Sequence, residues 1–243
     1  MKFITKCETR MEDYDCYGNM TLKAVLQLFE NVASYQSDTL DESIIDNSLN
    51  GIAWILTEWR VEMIKDIPYK KEYTLETWSK GALNALLVDR DYQLLDEDGE
   101  ILAKGEASFV LLDMETQKPM RITDELMEKY QPEMIDVWEG KKFARMREAK
   151  TYDFEKEINL RRTDIDFNHH VHNLTYIDYV MEMLPENRYE KKIKKLRINY
   201  RKGIEAGERI IGKYHLASDK EKIGFYGSSN EGKISTMVDF WME

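Results

Sequence analysis

The spacing of apolar positions changes character along the first part of the chain. Residues 3–10 form a short strand-like run and residues 11–19 a polar, turn-forming stretch. Leu22, Val25, Leu26, Phe29, Val32 and Ala33 then recur at helical spacing. That stripe predicts an amphipathic helix, with Thr21 as its N-terminal cap. Beyond Gly51, residues 52–64, 73–78, 85–95 and 101–112 read as four strands, and Asp96-Glu97-Asp98-Gly99 is a hairpin signal between the last two.

From residue 151 the same order returns. A strand candidate at 151–160 precedes a polar segment, and Leu174, Ile177, Val180, Met181 and Leu184 then mark a second helix. Strand candidates at 194–200, 209–216, 223–226 and 233–241 complete the series. Asp13-x-Asp15 and Asp164-x-Asp166 hold matching places before the two helices, 151 positions apart, and Leu56-x-x-Trp59-Arg60 resembles Leu196-x-x-x-Tyr200-Arg201. Such matching predicts two copies of one supersecondary unit. In each, an antiparallel sheet wrapped around a long helix buries the helix stripe and one sheet face. The expected class is α+β, with repeats at residues 1–135 and 136–243. Residues 114–150, with Pro119, Pro132 and a short helical stretch at 124–130, form the connection. One ten-stranded sheet with two helices would use the same elements.

Composition narrows the function. A net charge of −11 argues against a nucleic-acid binder. With only Cys7 and Cys16, a disulfide framework is not expected and a reducing compartment is. Charge interrupts the first residues before any stretch of signal-peptide length, and no run approaches transmembrane length. The expectation is a cytoplasmic protein with no membrane partner.

Chemistry concentrates in residues 164–173, which hold three of the four histidines, two aspartates and two asparagines. Read as an extended approach to the second helix, with Asn173 as its cap, the loop would turn Asp166, Asn168 and His170 to one side. A carboxylate can act as base or nucleophile. A carboxamide can orient water or polarise a carbonyl, and an imidazole can donate to a carboxylate or shuttle a proton. Asp13, Asp15 and Asp164 read more simply as turn residues bonding nearby backbone. His169, His170 and His172 lack the spaced third partner that a catalytic zinc needs, so no metal is expected. The matching first loop has Tyr17 and Asn19 and no imidazole, which argues against a second active site. Residues 188–202 carry eight basic side chains and one acidic, and residues 141–150 hold another basic cluster. Each is either a docking face for an acidic partner or a solvated surface.

The landmarks resemble those of the acyl-acyl carrier protein thioesterases of plants and bacteria. They are Trp54-Ile55-Leu56, Glu76-Thr77-Trp78, Arg90-Asp91-Tyr92, Asp98-Gly99-Glu100 and Asp113-x-x-Thr116-x-x-Pro119-x-Arg121-Ile122, then Asp166-x-Asn168-x-His170-Val171 and Tyr200-Arg201. The resemblance implies a tandem (double) hotdog fold without cofactor. It also implies hydrolysis of the thioester between a fatty acyl chain and the phosphopantetheine arm of acyl carrier protein, by a monomer or homodimer. By the same resemblance Asp166, Asn168 and His170 fall on catalytic positions, and the acyl chain enters a cavity of the first repeat. Two departures stand out: His172 replaces a second asparagine, and Gly203 stands where the plant enzymes place a glutamate, with Glu205 two residues on. Hydrolysis of acyl-coenzyme A, or acyl binding without turnover, would also fit the fold.

Overall fold

The computed structural model describes residues 1–69, 72–216, 221–230 and 232–243. The chain divides into two compact units, Met1–Lys142 and Phe143–Glu243. The first therefore runs past residue 135, where the sequence placed the end of its repeat.

In the first unit β1 (Phe3–Glu8), β2 (Ile52–Met63), β3 (Glu72–Asn84), β4 (Leu87–Leu95) and β5 (Ile101–Asp113) make an antiparallel sheet in the order β1-β3-β4-β5-β2. A two-residue strand, β6 (Lys118–Pro119), adds to β5. Helix α1 (Leu22–Thr39) starts where Thr21 accepts the Ala24 N–H at 3.1 Å, as the sequence predicts. Its stripe of Val25, Leu26, Phe29 and Val32 is fully buried. Phe29 stacks on Tyr92 at 5.1 Å between centroids, and Trp59 meets Tyr92 at 5.0 Å. A Cβ at Gly105 would lie 3.0 Å from the Phe29 ring, so a glycine in β5 lets the helix approach the sheet this closely. Two short helices complete the unit: α2 (Ile44–Leu49), absent from the sequence reading, and α3 (Asp124–Tyr130), which it located.

The second unit contains β7 (Phe154–Ile158), α4 (Thr175–Met183), β8 (Ile193–Tyr200), β9 (Ile210–Leu216), β10 (Glu221–Gly227) and β11 (Thr236–Met242). Its strands are antiparallel in the order β8-β11-β10-β9-β7. The helix lies within the stretch 174–184 that the apolar spacing marks and is half the length of α1, 9 residues against 18. Tyr176 and Tyr179 pack on Phe225, and the Met183 sulfur would stand 2.7 Å from a Cβ at Gly212. Asn173 is not the cap. The helix begins after Leu174, whose N–H donates to His172 Nδ1 at 3.2 Å, while the Asn173 carbonyl accepts the Tyr200 hydroxyl at 3.0 Å.

Candidate active site

The loop before α4 is a closed turn, not the extended segment the spacing suggested. Asp166 N–H donates to His170 O at 2.8 Å, His169 N–H donates back to Asp166 O at 3.1 Å, and Ile165 bridges Val171. His169 takes a left-handed φ of 63° to close it. The Asp166 carboxylate holds the turn from inside, since Oδ1 accepts the N–H groups of Asn168 at 2.8 Å and His170 at 3.2 Å. Side-chain alternation along a strand therefore does not apply to residues 166, 168 and 170.

The loop before α1 has the same plan. Asp15 Oδ1 accepts the N–H groups of Tyr17 and Asn19, both at 2.9 Å, and Asp15 N–H donates to Asn19 O at 2.8 Å. Gly18 supplies the left-handed residue there, with φ 76°. Further up the chain, Arg10 N–H donates to Asp13 and Arg161 N–H to Asp164 in the same way. Asp13, Asp15 and Asp164 are thus turn residues, and Asp166 does that work besides any chemistry. The glycine 151 positions before His169 was the sequence signal that the second loop turns as well.

What differs between the loops is the side chains they present. Asn168 and His170 replace Tyr17 and Asn19. Among the described residues, no hydrogen bond or ion pair joins the side chains of Asp166, Asn168 and His170 to one another. The backbone brings them to one turn with the imidazole against Gly203, where a Cβ would lie 2.4 Å from His170 Cδ2. Glu205 pairs with His170 across an isolated antiparallel bridge. A cleft of about 370 Å³ opens beside the loop; its wall includes Ile165 and Ala206, the chain neighbours of Asp166 and Glu205, but none of the three candidate side chains.

Asp164 is buried below the turn. Its carboxylate accepts from Arg161 Nε at 2.9 Å and from the Tyr179 hydroxyl at 2.9 Å. Burial first, and the Asp164 acceptor second, hold the Tyr179 hydroxyl protonated well above the usual phenol range. Burial likewise pushes Tyr176 up to about 12. Both phenols are neutral supports under the loop.

Among the described residues, the carboxylates that converge within metal-binding reach are Asp91, Glu106 and Asp136, far in sequence from the histidines. Lys80 fills that place, paired with Glu106 and lying 3.6 Å from Asp91 and 3.4 Å from Asp136. The first unit also holds a cavity of about 60 Å³ walled by Trp54, Val88, Phe109 and Met127, with Arg90 and Tyr130 among its polar lining.

Two successive units, each an antiparallel sheet with a packed helix, and a differentiated turn before the second helix define a tandem hotdog protein. Residues 1–130 match the acyl-ACP thioesterase N-terminal domain and residues 147–239 the acyl-ACP thioesterase C-terminal domain, so the chain belongs to the acyl-ACP thioesterase family. It is 24% identical over 211 residues to an oleoyl-acyl carrier protein thioesterase of Arabidopsis thaliana, covering 78% of this chain and 56% of that protein. Against an acyl-[acyl-carrier-protein] hydrolase of Cuphea viscosissima it is 25% identical, over 73% of this chain and 44% of the relative. The chain thus spans about half the length of these curated relatives. In fold it is similar to an acyl-ACP thioesterase from Bacteroides thetaiotaomicron, with a TM-score of 0.85 at 16% identity, covering 100% of this chain and 98% of that one. The 12:0-ACP thioesterase from Umbellularia californica gives 0.83 at 18% identity, covering 100% and 97%.

Proposed function

We propose that this protein hydrolyses fatty acyl-acyl carrier protein, giving free fatty acid and the carrier with its phosphopantetheine thiol restored. The observation that carries this reading is the asymmetry between two loops of one backbone plan. Only the second presents a carboxylate, a carboxamide and an imidazole at a turn, in a chain whose two halves both match the thioesterase family.

In the reaction, oxygen from water adds to the acyl carbon, the C–S bond breaks, and the sulfur leaves as the thiol after taking up a proton. Asp166 is the base for that water or the nucleophile that precedes it. Asn168 has N–H donors for the carbonyl oxygen as negative charge gathers there, and His170 carries the proton towards the departing sulfur. The first-unit cavity, walled mainly by apolar side chains, suits the end of an acyl chain. A reducing cytoplasmic setting accords with Cys7 and Cys16 being free thiols. No helix among the described residues is long and apolar enough to cross a membrane.

The test is incubation of the purified protein with a ladder of acyl chains on acyl carrier protein and on coenzyme A, with identification of the fatty acids released. Turnover with higher kcat/KM on the carrier-linked series is expected. Preference for coenzyme A thioesters would reassign the substrate, and acyl binding without release would reassign the protein to a non-catalytic module.

A further inference from the structure

Because the two loops share a backbone, the places where their surroundings differ in side chain show what the second loop has acquired beyond folding. Val171 N–H donates to Ile204 O at 2.8 Å as Met20 N–H donates to Ile67 O at 2.8 Å. The bridge His170 to Glu205 likewise corresponds to the bridge Asn19 to Pro68. Residues 203, 204 and 205 therefore stand where the first unit has Asp66, Ile67 and Pro68. Three changes go together: asparagine to histidine, aspartate to glycine, and proline to glutamate.

The glycine is a steric requirement of the histidine. A Cβ on residue 203 would lie 2.4 Å from His170 Cδ2, 3.1 Å from Cγ and 3.2 Å from Nε2, closer than a ring carbon tolerates. The first unit, with the shorter Asn19 at the loop position, carries a full side chain at Asp66. The glutamate is placed by pairing. Val171 N–H to Ile204 O and Ala206 N–H to His169 O, at 2.8 and 3.2 Å, flank His170 and Glu205 as a non-hydrogen-bonded antiparallel pair. In such a pair the Cα atoms stand about 4.5 Å apart and the side chains share a face. Glu205 is fixed there, its N–H donating to Glu208 Oε2 at 2.8 Å and its carbonyl accepting the Glu208 N–H at 3.2 Å.

We propose that Gly203 is the seat of the His170 imidazole and that Glu205 is its positioning carboxylate. With substrate bound, Glu205 accepts a hydrogen bond from one ring N–H and so sets the ring's orientation and tautomer. The inference rests on the reading of His170 as part of the site, and it moves a carboxylate to a position two residues beyond Gly203.

The test combines Gly203→Ala, Glu205→Gln and Glu205→Asp with steady-state kinetics and NMR of ¹⁵N-labelled histidine. Spectra are recorded on the free protein and with a thioether analogue of acyl-pantetheine. Gly203→Ala is expected to move the His170 ring signals in the free protein and to lower kcat by about tenfold or more, with KM within about twofold. Glu205→Gln is expected to change the ring-nitrogen signature of the analogue complex and to lower kcat, and Glu205→Asp to restore most of both. Wild-type ring signals in folded Gly203→Ala would overturn the seat. Unchanged kcat and signature in Glu205→Gln would overturn the positioning role; that exposed position also serves if Gly203→Ala does not fold. A wild-type protein that hydrolyses no thioester would sink the functional reading instead, while the free-protein spectra still decide the seat.

Discussion

Asp166 holds its loop through one carboxylate oxygen, and the proposed function asks the same side chain to carry chemistry as well. Its Oδ1 is committed to two backbone N–H groups, and replacement by asparagine keeps that acceptor while removing the charge. Asp166→Asn should therefore unfold near the wild-type temperature yet lose about 10²-fold or more in kcat, the scale of a lost acid-base group. Asp15→Ala in the matching loop should do the reverse. It strands the N–H groups of Tyr17 and Asn19, costs about 1–3 kcal/mol in urea unfolding, and leaves kcat unaltered. Equal rate losses in both variants would mean that Asp166 acts only on the backbone. At this scale the sequence showed which residue types share the turn but not how they are aimed. Alternation along an extended loop gave the wrong geometry because Asp166 closes a turn through its own side chain. Gly203 stood out in the sequence only as a missing glutamate, since its steric meaning lies in the imidazole packed on it from 33 positions away.

Helices and strands were legible where periodicity was sustained, as in α1 and β5, and failed where a few polar contacts set a boundary. α4 starts late because His172 Nδ1 takes the Leu174 N–H, and α2, with six residues, is too short to show a period. Residues 136–142 were assigned by sequence to the second repeat, yet buried charge fastens them to the first. Val137 N–H donates to Asp91 Oδ2 at 2.9 Å, Lys104 donates to Val137 O at 3.1 Å, and its ammonium lies 4.8 Å over the Trp138 ring. Burial raises the Asp91 carboxyl from 3.8 to about 7, with the Val137 N–H and then Lys80 opposing. A carboxyl raised on folding binds more protons in the native state than in the unfolded chain. Its presence therefore lowers stability as pH climbs from the unfolded value towards the folded one. Asp91→Asn keeps an acceptor for Val137 without that charge. Its stability in urea, relative to wild type, should rise from pH 4 to about pH 7 and level off above. A difference independent of pH would show that Asp91 keeps an ordinary carboxyl in the native state.

For the molecule as a whole, the proposed function raises the question of how a chain of net charge −11 would attract an acidic carrier protein. The basic run at 188–202 is smaller as a surface than as a sequence. Arg188 pairs with Glu221 at 3.3 Å, Lys194 with Glu243 at 3.5 Å, and buried Arg197 donates to Ala144 O at 3.0 Å. Lys191, Lys195, Arg201 and Lys202 are exposed, and the last two, with Lys233, line a cleft of about 570 Å³ where Glu148 is the one carboxylate among the described lining residues. If this cleft is the docking face, its attraction acts over about a Debye length, about 10 Å at 0.1 M salt, and weakens as salt rises. KM for acyl-carrier substrates should then rise several-fold between about 0.05 and 0.3 M salt, with kcat little changed. Charge reversal at Arg201 and Lys202 should raise KM at low salt and flatten that dependence. Acyl-pantetheine, which has the thioester but not the acidic protein, should show neither effect. A KM indifferent to salt on the full carrier substrate would remove the electrostatic docking face and leave recognition to the acyl chain and the pantetheine arm.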